Sequence, residues 1–140
     1  EGSEEGSVVV SLEKEKNSFK VGLTFGKKGG SFTENYNATF DTGAEMFSIG
    51  YRLFRELKKR GLDYDDLKIT KNAVGVSGVP LPNMLIKIKT LKIGGYEVKN
   101  VVAWVETSEK ANSSLLGIGF FNKFSEVKWS LEQETLELFR

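Results

Sequence analysis

Three properties of the 140-residue sequence predict an all-β fold, a closed barrel with one main helix. Apolar residues recur mostly at every second position, glycine-rich turns separate the runs, and a single stretch carries apolar residues at clear helical spacing. Ten Phe, two Trp and four Tyr supply bulky core material, and the length suits one hydrophobic core.

The elements follow in order. The opening Glu1-Gly2-Ser3-Glu4-Glu5-Gly6-Ser7 is acidic and rich in Gly and Ser, so residues 1–17 read as a flexible tether and 18–140 as the folded domain. Phe19, Val21, Leu23 and Phe25 alternate with Lys20, Gly22 and Thr24, as a half-buried strand requires. Gly26-Lys27-Lys28-Gly29-Gly30 turns the chain into a second extended run through Phe32, Tyr36, Ala38 and Phe40. Ser48 is placed to cap a helix with Ile49, Leu53, Phe54 and Leu57 as its apolar stripe. Lys58-Lys59-Arg60 complement the negative end of its dipole, and Gly61 stops it.

An Asp-rich loop (Asp63, Asp65, Asp66) precedes two short extended runs, 67–70 and 73–80. Residues 84–93 and 96–105, joined by Gly94-Gly95, give a strong hairpin signal. A polar loop, 106–114, leads to the apolar turn Leu115-Leu116-Gly117-Ile118-Gly119 and a short helical candidate over 120–124. Runs 127–130 and 135–139 form a final hairpin.

Composition removes many chemistries. The chain has no histidine and no cysteine, which excludes Ser-His-Asp and Cys-His nucleophilic sites, zinc-protease helices and disulfides. Twenty basic and 19 acidic residues leave no basic field to gather nucleic acid or an anionic membrane. No stretch is apolar for long enough to span a bilayer as a helix. Chemistry near neutral pH is left to carboxylates, Lys, Tyr or a cofactor.

Against that background, Asp41-Thr42-Gly43-Ala44, entered from Tyr36-Asn37-Ala38-Thr39-Phe40, is the most informative feature. Two carboxyls held about 3 Å apart cannot both stay charged, so they share one proton and titrate as a pair. The ionised member can take a proton from a bridging water while the protonated member donates to a substrate carbonyl oxygen. This needs no metal, no cofactor and no covalent intermediate. Because the tetrapeptide occurs once, a second copy of the chain must supply the second carboxyl. Gly43 lets the backbone bring its N–H toward the carboxylate, Thr42 offers a hydroxyl to fix the loop, and Ala44 is small enough to sit beneath it.

From about Phe19 to Arg140 the sequence resembles the retropepsin-like aspartic proteases, and is most similar to small bacterial members with one Asp-Thr-Gly-Ala per chain. Three stretches carry the resemblance in order: Phe40-Asp41-Thr42-Gly43-Ala44 before a helix; Leu91 to Val101 with its Gly94-Gly95 turn; and Leu115-Leu116-Gly117-Ile118-Gly119-Phe120-Phe121-Asn122-Lys123-Phe124 before the last hairpin. Gly119 stands where many relatives have Asp, and Glu45 follows Ala44 where a small or hydroxyl residue is more usual.

The resemblance implies a retropepsin-like closed barrel and a homodimeric aspartic endopeptidase with one Asp41 from each subunit on the dimer axis. Thr42 would bond across that axis, and Leu115-Leu116-Gly117 would support the loop. A flap hairpin at Val74-Gly75-Val76-Ser77-Gly78 would close over an extended polypeptide substrate, whose backbone adds a strand. The alternative is a non-catalytic domain of the same fold that binds a peptide or partner. Neither nucleic acid nor membrane contact by this domain is expected. Many bacterial relatives carry an N-terminal signal or anchor, so an extracytoplasmic or anchored location is the expectation.

Overall fold

The computed structural model describes residues 6–74, 80–106 and 114–140. Within them the chain builds a barrel from six strands: β3 (Ser18–Phe25), β4 (Tyr36–Phe40), β5 (Ser48–Gly50), β7 (Pro80–Ile93), β8 (Tyr96–Glu106) and β9 (Ser114–Leu116). Their order around it is β3-β4-β9-β5-β8-β7, and pairing of β7 back onto β3 closes it. Strand β2 (Glu13–Glu15) extends the sheet beyond β3, and β6 (Tyr64–Val74) extends it beyond β7. A separate three-stranded sheet has the order β1 (Ser7–Ser11), β11 (Thr135–Phe139), β10 (Glu126–Ser130).

The alternation expected for β3 is realised: Val21, Leu23 and Phe25 are buried. The β7–β8 hairpin turns at Gly94 and Gly95, both with positive φ, as a two-residue hairpin loop demands. Its alternation slips once. Ile86 and Ile88 are buried and so are Leu91 and Ile93, while on β8 the buried set passes from Val98 to Val101, Ala103 and Val105. Both strands change phase opposite each other, where Asn100 takes φ 57°. Lys123 serves this corner by donating its Nζ protons to the carbonyls of Lys99 (3.2 Å) and Asn100 (2.9 Å).

Other expectations are corrected. Residues 7–15, read from composition as tether, are strand from Ser7 onward: β1 pairs with β11 and β2 with β3. Val8 and Val10 of β1 join the core cluster, so three consecutive valines outweigh the surrounding polarity. Ser48 is no helix cap. It lies in β5, paired with Trp104 and Leu115, and α1 (Tyr51–Lys59) starts after Gly50 without a side-chain cap.

Phe54 and Leu57 anchor α1 in the core, each worth about 1.5–3 kcal/mol of burial. Lys58 and Lys59 end it as expected, and Gly61 follows with φ 96°. The Asp-rich segment is largely strand: Asp65 and Asp66 pair with Lys87 and Ile86 in β6–β7. The register then shifts between Asp66 and Thr70, where Lys68 has φ 60° and donates its N–H to Asp66 Oδ1. The second helix, α2 (Ile118–Phe121), begins two residues earlier than its pattern suggests.

Candidate active site

Strand β4 carries the chain into the Asp41 loop along the edge of β9. The two run parallel, with Thr39 opposite Leu115 and Phe40 opposite Leu116. Phe40 is half-buried and makes edge-on contacts with Phe121 (5.5 Å) and Trp129 (5.6 Å). The strand that delivers Asp41 is therefore braced by α2 and by the C-terminal hairpin.

The loop itself is held by backbone. Asp41 donates its N–H to the Leu116 carbonyl at 3.1 Å, and Ala44 donates to the Asp41 carbonyl at 3.2 Å. Gly43 donates its N–H to Asp41 Oδ1 at 2.9 Å, orienting the carboxylate. A Cβ at Gly43 would sit 3.3 Å from that same oxygen, tighter than ordinary contact. Its φ is not in the left-handed region, so closeness to the carboxylate, more than conformational freedom, favours glycine here.

Beyond Ala44 the chain is tied down again. Ile118 donates to the Ala44 carbonyl (2.8 Å), Gly119 to the Glu45 carbonyl (2.6 Å), and Trp104 to the Phe47 carbonyl (3.0 Å). Gly117 makes the approach possible, since a Cβ there would lie 2.5 Å from the Ala44 oxygen and 2.6 Å from the Met46 oxygen. Leu116 is fully buried beneath the loop and Leu115 half-buried beside it. The loop's upper surface is open: Thr42 and Gly43 are exposed, as are Met46 and Ile118 on its flank.

The structure thus brings together Asp41, Thr42, Gly43, Ala44, Leu115, Leu116 and Gly117. Of the flap expectation, Val74 ends β6 opposite Pro80, while Gly75, Val76, Ser77 and Gly78 lie outside the described residues. Sequence reasoning missed β5, whose three residues are too few to show a period, and the bonds from α2 to the far leg of the loop. The second glycine, Gly119, was the available signal for those bonds. Among the described residues, no group of three or more acidic side chains is placed to hold a metal ion.

A strand ending in Asp-Thr-Gly over a Leu-Leu-Gly floor invites comparison with known proteins. A family profile described as aspartyl protease matches residues 26–120, which span the loop, the helix and the floor. The chain belongs to the aspartyl protease family. Its fold is retropepsin-like. A crystal structure of a retropepsin-like aspartic protease from Rickettsia conorii superposes with a TM-score of 0.59 at 20% sequence identity, covering 95% of this chain and 90% of that one. No curated protein matches the sequence.

Proposed function

We propose that the chain is one half of an aspartic endopeptidase, active as a homodimer in which two Asp41 carboxyls activate a water against a peptide bond. The observation that carries this reading is the single Asp41 loop: rigid below, through its bonds to Leu116, Ile118 and Gly119, and exposed above at Thr42 and Gly43. A loop built that way can meet a copy of itself without rearranging.

In the pair, one carboxylate accepts a proton from the water as it attacks the carbonyl carbon. The other carboxyl donates its proton to the carbonyl oxygen, and proton return to the amine nitrogen releases the two products. Thr42 braces the two loops across the axis, and Gly43 N–H holds the carboxylate oxygen in line. Leu115, Leu116 and Gly117 keep the floor fixed, and the hairpin carrying residues 74–78 covers an extended polypeptide and excludes water.

The test is an Asp41→Asn protein. It should keep the fold and the association state measured by sedimentation, and lose cleavage of an unfolded protein substrate by about three orders of magnitude or more. Equal cleavage by parent and variant refutes the reading, as does a parent that remains a monomer at every concentration at which it cleaves.

A further inference from the structure

The far leg of the Asp41 loop, residues 44–46, lies against the start of α2 through backbone-to-backbone bonds. No side chain caps this helix; its first two N–H groups instead donate to the loop carbonyls of Ala44 and Glu45. Gly117 is part of the support the family resemblance already implies. Gly119 lies two residues beyond that Leu-Leu-Gly support.

In this chain a Cβ at Gly119 would sit 2.7 Å from the Glu45 oxygen that the residue's own N–H holds at 2.6 Å. The obstacle is backbone, which cannot swing aside as a long side chain can. Gly119 lies outside the left-handed region, so the requirement is one of space alone.

We propose that Gly119 is a positioning residue of the Asp41 site, setting the height of the loop through the Glu45 carbonyl; the inference rests on the protease reading above. Restoring an ordinary 3.4 Å contact moves that carbonyl by about 0.7 Å from its 2.7 Å separation. Only Thr42, Gly43 and Ala44 separate Glu45 from Asp41, and the Ala44 N–H is bonded to the Asp41 carbonyl. The displacement is therefore carried along the loop toward the carboxyl.

Gly119→Ala should lower kcat about 10- to 100-fold with KM within about twofold, because the error acts on attack geometry rather than on binding. An unchanged kcat overturns the proposal. So does a loss that tracks early unfolding or dissociation in urea and sedimentation.

Two measurements stand apart from catalysis. Amide resonances of Asp41 and Gly43 should move in Gly119→Ala, and in the parent the Ile118 and Gly119 amides should be protected from exchange although Ile118 is 49% exposed. Static resonances, or rapid exchange of those two amides, overturn the positioning role even if Gly119→Ala fails to fold. If Asp41→Asn cleaves as well as the parent while these amides behave as expected, the protease reading falls and the loop-positioning role of Gly119 stands.

Discussion

Replacing Phe40 by Ala removes the ring that joins the Asp41 strand to α2 and to the C-terminal hairpin. A fully buried Phe→Ala change costs about 3–5 kcal/mol. Phe40 is half-buried, which places it at the low end, near about 3 kcal/mol. Its two edge-on contacts, at 5.5 Å to Phe121 and 5.6 Å to Trp129, account for about 1–2 kcal/mol of that.

Urea unfolding at one fixed protein concentration is the assay, since association would add concentration-dependent stability. With a slope of about 2 kcal/mol per molar, the midpoint should fall by about 1.5 M. Pairing the change with Trp129→Ala in a double-mutant cycle should return a coupling of about 0.5–1.5 kcal/mol. A loss below about 1 kcal/mol, or a coupling indistinguishable from zero, would refute the argument that the hairpin braces this strand.

Three further outcomes are expected. Gly117→Ala should destabilise the fold by about 1–3 kcal/mol, because its Cβ meets two backbone carbonyls at 2.5 and 2.6 Å; a variant as stable as the parent would show that the loop yields. Cleavage should be fastest in acid to mildly acidic solution, where the two carboxyls share one proton, and a rate still climbing through pH 9 would contradict that chemistry. Burial of the Tyr36 hydroxyl, and then the negative charge of Glu34, raises its pKa above the usual value, with Arg60 opposing. The protonated form is thus favoured in the fold, so its stability contribution is full below about pH 10 and is lost as pH rises through the raised value. Tyr36→Phe should gain about 1 kcal/mol, since the buried hydroxyl has Glu34 nearby but no hydrogen bond of ordinary geometry among the described residues, and the gain should widen above pH 10 in urea titrations. A gain that shrinks there would reverse the sign of the argument.

What the sequence disclosed, and what it hid, follows from how each element is stabilised. Strand β3, the Gly94-Gly95 hairpin and the final β10–β11 hairpin announce themselves because local alternation and turn chemistry suffice to define them. Strand β5 was invisible: Ser48–Gly50 is strand only because Trp104 and Leu115 flank it, partners more than fifty residues away. The start of α1 was misread for the same reason, since Ile49 fits a helical stripe but is claimed by β8. At the site, the Asp-Thr-Gly triplet was legible as chemistry. The bonds from Ile118 and Gly119 were not, because backbone-to-backbone contact leaves no side-chain signature beyond the glycines that permit it.

The pairing of β1 with β11 sets Ser7 opposite Phe139, so the sheet joins residues 132 positions apart. A contact that closes so long an intervening loop is costly in chain entropy and slow to form. Val8 and Val10 stay uncovered until Leu136 and Leu138 present their side of the sheet. Strand β1 is thus expected to be among the last to settle, whatever the order in which the barrel forms.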